Sequence, residues 1–538
     1  MTKLKDFLKV ELIKSIVMKR IKYLIYITVF ALAFSACDSL DLAPEDFYGS
    51  NNFWNNEAQV KGFIYGIHNQ LRAAHFNLFL MGEARGGLQK HGTSSTATSL
   101  DNSSPFKDQD FTAQKTGLGS WAGSYGRLLN INLAIQKLEK ETPFLTEASR
   151  NYYLGQLYGL RAFNYFWLYR TYGGVPIVTE VKVLEGVTSA EPLYLERSTP
   201  KQTLDFIKSD INKSEELFGS NLTMTDGRSV WSKYATLMLK AEIYLWSAKV
   251  TTGDQSPAQG DLAIAEAALR QVEGKFSLQT NFRNVFAYTN KGNNEIIFAL
   301  RFLDTEATNF AANMTYSDNV FIGVKFNKNL RVMGDTLNLR GNGILRHEYI
   351  FGLFESYDDA DSRKTATFLD FYNRSADNRP VNGGLVLRKF IGFINPNGIR
   401  VYADDVPIYR YADVLLMLAE VENKKGNDPS AFINQVRQRA YGANYNSSIH
   451  AHTNQGFAAN ELAILFERDK EFVWENKRWF DVLRMQDATG QPLVFSSAVT
   501  YGRGTPVLNR ATEAHKVLWP VDVTTLNNDP KLVQTPGY

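Results

Sequence analysis

A glycine-rich segment is the first place in the chain where residue spacing could support chemistry. Gly117, Gly119 and Ala122 match the loose G-x-G-x-x-A pattern of dinucleotide-binding turns. That pattern binds a pyrophosphate only where it follows a strand and opens a helix within a βαβ unit. Residues 110–116 do not have a strand pattern, and nothing else suggests such a unit. We therefore interpret the segment as a glycine-rich lead into a helix.

Two clusters of metal-ligand residue types lack the composition of a metal site. His450 and His452 place two imidazoles two residues apart with no third ligand, and we predict solvated loop histidines. Asp358, Asp359 and Asp361 could begin a calcium loop, but the glycine and distal glutamate of that motif are missing. We predict a structural turn there, and neither a metal nor another cofactor in the protein.

The acidic residues do not form a recognisable catalytic pair. None of the 56 Asp and Glu residues can be placed at the separation that glycoside hydrolysis requires, about 5 Å or 6.5–9.5 Å. Glu467, Glu471 and Glu475 share one helical face with arginines nearby, which favours an ion-paired helix. Zinc-protease, serine-hydrolase and phosphate-loop motifs are missing as well. We therefore predict that the protein is not an enzyme.

Composition and charge narrow the range of possible functions further. The chain has 538 residues, 44% hydrophobic and 13% aromatic, which is enough for a large core. The formal charge is +3, but residues 1–22 hold seven Lys or Arg and two acidic residues, a net of +5, so the remainder carries −2. This nearly balanced charge gives no electrostatic footprint for nucleic acid, and a DNA or RNA function is excluded.

The N-terminus has the pattern of a lipoprotein signal peptide. A basic segment after Met18 is followed by the uncharged residues 23–34 and then by Ser35, Ala36 and Cys37. The apolar stretch is too short for a spanning helix, which needs roughly 20 residues. Cys37 is the only cysteine and stands where such a signal places its acylated residue. We predict a signal peptide over residues 1–36, starting at Met18, and a lipid anchor on Cys37.

An acidic leader follows the cysteine over residues 37–50, with Asp38, Asp41, Glu45 and Asp46. Acidic residues in this position resemble the signal that sends lipoproteins to the cell surface in Bacteroidota. The resemblance implies an outer-membrane protein that is held by its lipid and faces the cell exterior.

The rest of the chain has the pattern of a mainly α protein with long irregular loops. A strand is predicted at 295–301, and residues 302–400, rich in Asn, Gly and Asp, are expected to be mostly irregular. No linker divides residues 51–538, so we expect a single unit there. Apolar residues at helical spacing predict helices over 58–72, 121–138, 151–172, 199–218, 230–248, 261–272, 410–423, 429–440 and 460–485.

Five segments stand in order along the chain, within residues 161–176, 410–423, 433–440, 467–484 and 518–538. They contain R-A-F with Y-G-G-V-P, R-Y-A-D-V-L-L-M-L-A-E, I-N-Q-V-R-Q-R-A, E-R-D-K-E-F with R-W-F-D-V-L-R, and N-D-P-K-L-V-Q-T-P-G-Y. Together with the lipoprotein signal, they resemble the SusD/RagB family of nutrient-binding lipoproteins. The second segment has a continuous apolar stripe, so we assign these motifs to the scaffold and not to the ligand site.

The resemblance implies a fold in which tetratricopeptide-like helix pairs, at about residues 51–300, hold a more irregular ligand-binding part at about 301–538. It implies a protein that binds an oligosaccharide, or a peptide, and presents it to a SusC-like TonB-dependent transporter. It also implies binding by stacking on aromatic rings and by hydrogen bonds from polar groups.

The stretches expected to meet the ligand, about 76–117 and 302–400, contain no Trp. A platform for a sugar ring there would consist of Phe or Tyr, which weakens a starch-like ligand and leaves other glycans or a peptide open. The expected ligand-contacting residues are Arg85, Lys90, His91, Asn102, Phe106, Phe111, Tyr316 and Phe321.

Two other functions remain open at this point. A secreted glycan-degrading enzyme would need a pair of acidic residues that converge in a cleft. A repeat scaffold that binds only proteins would have an apolar groove and no exposed pair of aromatic rings near polar groups.

Overall fold

Helices that pack in consecutive pairs make up most of the regular structure. Residues 1–59 separate from residues 60–538 as a distinct unit. The computed structural model describes Met18 and residues 53–93, 104–184, 187–316 and 318–538. The α-helices in these ranges are α1 (Glu57–Ala73), α2 (His75–Phe79), α3 (Ser104–Asp108), α4 (Ala122–Lys140), α5 (Glu147–Tyr172), α6 (Pro200–Phe218), α7 (Lys233–Lys249), α8 (Asp261–Val272), α9 (Asp318–Phe321), α10 (Phe351–Glu355), α11 (Ser362–Thr367), α12 (Tyr411–Lys425), α13 (Ser430–Tyr441), α14 (Ser447–His450), α15 (Phe457–Glu471), α16 (Arg478–Arg484), α17 (Arg510–Glu513) and α18 (Val523–Asn528).

The helix pairs confirm the predicted fold class, with α5 on α6, α7 on α8 and α12 on α13. Local signals set the limits of α6. The Thr199 hydroxyl accepts the backbone N–H of Gln202, and the Gln202 side chain accepts the N–H of Thr199, which closes a capping box. The helix ends at Gly219, whose φ of 51° favours glycine. Its apolar face, with Leu204 and Ile207, is buried.

Strands occur only as antiparallel pairs in the described part of the chain. The pairs are β1 with β3, β2 with β8, β4 with β5, and β6 with β7. The strand bounds are β1 (Gln89–His91), β2 (Ile296–Leu300), β3 (His347–Tyr349), β4 (Phe368–Arg374), β5 (Pro380–Leu387), β6 (Phe393–Ile394), β7 (Arg400–Val401) and β8 (Val406–Arg410). The strand predicted at 295–301 is therefore confirmed as β2.

Residues 302–400 contain more regular structure than the sequence predicts. The β4–β5 pair is the longest element here, and a hydrophobic core lies beneath it. The prediction failed because a core assembled from residues distant in sequence stabilises short strands that have no strong local pattern. That core consists of Tyr316, Phe321, Met333, Leu337, Leu339, Leu345, Phe371 and Val386.

The single helix predicted over 460–485 is wrong. The chain forms α15 and α16, and between them Trp474 and Asn476 adopt φ of 65° and 63°. This turn buries the Trp474 ring, and the Trp474 N–H donates to Glu83 Oε1 at 3.1 Å. It also turns Glu475 inward onto Arg410. Tertiary contacts therefore override the helical pattern.

The segments that could have supported chemistry have structural roles. The glycine-rich segment leads into α4 as predicted, and the residues before it form only an isolated bridge between Thr112 and Lys115. Asp361 caps α11, which confirms a structural turn. His452 is buried and lies 3.0 Å from Asn460 Oδ1, so the prediction of a solvated histidine is wrong there.

No helix among the described residues is long and apolar enough to cross a membrane.

A buried network of ion pairs joins the C-terminal elements. Arg410, at the start of α12, lies 2.7 Å from Glu295, 2.6 Å from Glu471 and 2.8 Å from Glu475, and all four side chains are fully buried. Burial opposes the ionisation of Glu471, but the guanidinium groups around it, led by Arg439 and then Arg410, outweigh burial and hold its pKa well below the usual range.

We expect Arg410→Met to destabilise the protein by about 3–5 kcal/mol, because three buried carboxylates would lose their shared cation. Chemical unfolding followed by tryptophan fluorescence measures the loss. Arg379→Met is the matched control, because that side chain is 74% exposed beside Asp377 and should change stability by less than about 1 kcal/mol. Equal effects of the two substitutions would contradict the role assigned to the network.

Candidate ligand-binding site

Three of the residues predicted to contact ligand form a closed cluster. The Arg85 guanidinium lies 4.1 Å from the ring centroid of Trp479, 4.4 Å from that of Trp519 and 4.5 Å from that of Phe111. Phe106 packs on Trp519 with ring centroids 5.4 Å apart. The predicted residues Arg85, Phe106 and Phe111 are all buried. Burial lowers the pKa of Arg85 to about 9. These side chains pack in the core and offer a ligand no surface.

Tyr316 and Phe321 lie in a second buried cluster. Their rings stack with centroids 4.1 Å apart and an interplanar angle of 8°, and Phe371 packs edge-on against Phe321. Both rings are at most 1% exposed. They hold the core beneath the β4–β5 pair and do not reach the surface.

Lys90 and His91 are the predicted residues that reach the surface. Both lie on β1, where Lys90 Nζ is 2.9 Å from Glu348 Oε1 and His91 Nε2 is 3.3 Å from Asp108 Oδ2. Ligand contact by these two side chains stays a prediction. Asn102 and the predicted lipidation site Cys37 fall outside the described residues.

A cavity of about 330 Å³ lies between the 282–289 segment and residues 388–404. Tyr288 and Phe393 stack beside it, with ring centroids 4.0 Å apart and an interplanar angle of 19°. Both rings are partly exposed. The other lining residues are Phe282, Arg283, Phe286, Ala287, Thr289, Leu337, Ala366, Arg388, Lys389, Phe390, Ile391, Gly392, Arg400 and Asp404.

Short turns hold the two stacked rings in place. Tyr288 opens a 3₁₀ turn that ends at Asn290, whose amide donates to the Asn284 carbonyl at 2.9 Å. Phe393 begins β6 and is paired with Val401 of β7. Gly392, just before it, has a φ of 70°, and a Cβ there would lie 1.8 Å from the Val401 carbonyl oxygen. Only glycine fits this position without a shift of the backbone.

The floor of the cavity is continuous with the ion-pair network. The ring centroids of Phe286 and Phe390 lie 4.9 Å apart, and Lys389 Nζ lies 4.2 Å from the centroid of the Phe286 ring. The same Lys389 Nζ is 2.5 Å from Glu475 Oε1, which also binds Arg410. Burial lowers the pKa of Lys389 to about 8. The position of the floor is thereby tied to the buried ion-pair network.

Polar groups surround the ring pair. Arg400 donates to the backbone carbonyls of Leu337 and Gly392. Asp404 is buried and accepts the Gly392 N–H at 2.7 Å, and burial raises its pKa to about 6. A partly exposed ring pair beside guanidinium and carboxylate groups suits a ligand with both apolar and hydroxyl-rich faces.

A second cavity, of about 480 Å³, lies between α1 and β2. It contains the exposed Tyr65 ring and two carboxylates. Asp226 is held by Lys61 at 2.5 Å, and Glu306 is held by Arg72 at 2.6 Å. Among the residues that the structure describes, no group of three or more His, Cys, Asp or Glu side chains could hold a metal ion.

Comparison with known proteins assigns the family. A model described as the SusD family matches residues 294–538, and a model described as starch-binding and associating with the outer membrane matches residues 40–245. A solved SusD superfamily protein from Bacteroides fragilis is 41% identical, with a TM-score of 0.84 over 90% of this chain and 100% of that chain. The chain belongs to the SusD family.

Other SusD relatives extend the comparison. SusD-like protein P38 of Formosa agariphila is 26% identical over 96% of this chain and 98% of its own. Surface glycan-binding protein A from Bacteroides thetaiotaomicron, solved in complex with laminarihexaose, has a TM-score of 0.65 over 89% of this chain and 99% of that chain. At 19% identity this last likeness shows the fold alone.

The cavity residues of this SusD-family chain were missed by sequence reasoning. Phe393 and Arg388 fall inside the stretch expected to meet ligand, but Tyr288 lies outside it. Tyr288 and Phe393 are 105 positions apart, so no local spacing links them. The only available signal was that Gly392 precedes an aromatic residue in a loop, which is weak.

We expect Gly392→Ala to destabilise the protein by about 2–5 kcal/mol, because the new methyl group meets the Val401 carbonyl at a strained φ. Gly490→Ala is the matched control, because Gly490 has a φ of 80° but nothing within 4 Å of a Cβ. That variant should lose only about 1–2 kcal/mol, from the backbone conformation. Chemical unfolding compares them, and equal losses would contradict the tight packing behind Phe393.

Proposed function

We propose that this SusD-family protein is a surface lipoprotein, acylated at Cys37, that captures an oligosaccharide and delivers it unchanged to a SusC-like TonB-dependent transporter. Family membership supports a surface protein that binds glycans. The signal-peptide pattern and the acidic leader support a lipid anchor on the outer face of the outer membrane. The family resemblance also implies that the partner is such a transporter.

The stacked pair of Tyr288 and Phe393 is the observation that carries this proposal. The C–H faces of sugar rings pack on aromatic rings, while the hydroxyl groups around the sugar need polar partners. Aromatic rings and polar groups both line the 330 Å³ cavity. A scaffold that binds only proteins would have an apolar groove instead, so the ring pair favours glycan capture.

The acidic residues favour binding over hydrolysis. Among the described residues, Asp404 is the one carboxylate that lines the cavity with the ring pair, and a glycosidase needs two. In the larger cavity, Asp226 and Glu306 are each engaged by a cation. A general acid or base needs a carboxyl group that is free to exchange its proton with the substrate. The arrangement therefore supports capture without chemical change.

We expect Tyr288→Ala and Phe393→Ala each to weaken glycan binding about tenfold, because the rings stack face to face and each supports the other as part of one platform for a sugar ring. Calorimetric titration with the tightest ligand of an oligosaccharide panel measures the change. Tyr65→Ala is the matched control, because Tyr65 lines the other cavity. Loss of binding in Tyr65→Ala alone would place the ligand site in that cavity instead.

A further inference from the structure

Two arginines in the ring-pair cavity have no acidic partner. Arg283 and Arg388 both line the cavity, and no carboxylate lies within ion-pair distance of either among the residues that the structure describes. Of the buried arginines, Arg161 and Arg484 are matched with Asp210 and Glu420, whereas Arg85 packs on aromatic rings with no ion pair in the described part of the chain. Among the described residues, neither the Arg283 nor the Arg388 guanidinium is therefore held in an ion pair that a ligand anion would have to displace.

The remaining charges of the cavity do not neutralise this pair. Lys389 is bound to Glu475, and the Arg400 guanidinium, held by backbone carbonyls, is balanced by the nearby carboxylate of Asp404. Arg283 and Arg388 therefore leave an excess of about two positive charges beside the stacked rings. Burial is the larger cause that lowers the pKa of Arg388, and the positive charge of Arg283 is the second; a bound anion would offset that second cause.

We propose that this cavity selects an anionic glycan, whose carboxylate or sulfate group binds Arg283 and Arg388 while its sugar ring lies against Tyr288 and Phe393. The guanidinium fork donates two parallel N–H bonds to the oxygens of a carboxylate or a sulfate, which a neutral hydroxyl cannot accept in the same way. The proposal rests on the proposed function and specifies the class of glycan that the site takes.

The chemistry of the two arginines also argues against a neutral ligand. Neutral hydroxyl groups are commonly bound by amide and hydroxyl side chains, which both donate and accept, and by carboxylates, which accept. Arginine only donates, and two adjacent arginines repel each other unless an anion lies between them. Arg283 is exposed at the cavity and Arg388 is partly buried, so a ligand can reach both from solvent.

The test is an array of neutral, carboxylated and sulfated oligosaccharides probed with the purified mature protein, followed by titration of the tightest ligand. We expect that ligand to be anionic, and methyl esterification of a carboxylated ligand to weaken its binding at least tenfold. Arg283→Gln and Arg388→Gln should each cause a similar loss, with binding less sensitive to salt. Arg388→Lys should lose less, because it keeps the charge but not the fork.

Arg510→Gln is the matched control, because Arg510 is exposed and lines neither cavity. Thermal melting verifies that each variant is folded. A neutral glycan as the tightest ligand, with Arg283→Gln and Arg388→Gln unchanged and Tyr288→Ala impaired, would overturn the anionic selectivity and leave glycan capture intact. Absence of binding to every class on the array would overturn both. Preference for carboxylate or for sulfate identifies which anion the pair accepts.

Discussion

The buried ion pairs around Arg410 are the constraint on which the C-terminal half depends. Removing one arginine and three glutamates from water costs several kcal/mol for each ion, and only close, complete pairing offsets that cost. Glu295 precedes β2, Glu471 ends α15 and Glu475 lies in the turn before α16. Because all three must reach one guanidinium, these elements have little freedom to shift, and the pairing defines their relative positions.

The same network positions the ligand cavity. Glu475 binds Lys389 as well as Arg410, so the segment that follows β5 is held against the turn between α15 and α16. Arg388 and Phe390 flank Lys389 in sequence and both line the cavity. A rigid charged interior thus holds a loop-built site in a fixed shape, which reduces the entropy lost when a ligand binds.

The helices were predictable because their signals are local. The limits of α8 match residues 261–272, and α1 and α6 agree with prediction to within one residue at each end. The turn between α15 and α16 was not predictable, because it forms through contacts of Trp474 and Glu475 with residues that are distant in sequence. The ligand-contacting residues were harder to predict than the helices. Residue type alone did not reveal that Arg85, Phe106, Phe111, Tyr316 and Phe321 are buried, since an arginine or an aromatic residue can serve equally in a core and in a ligand site.

Capture of a glycan that is left chemically unchanged is the role proposed for this protein. The decisive experiment is calorimetric titration of the mature protein against an oligosaccharide panel, with mass spectrometry of the recovered ligand. We expect saturable binding of at least one oligosaccharide that is recovered intact after prolonged incubation. Recovery of a shortened or modified ligand would contradict that role.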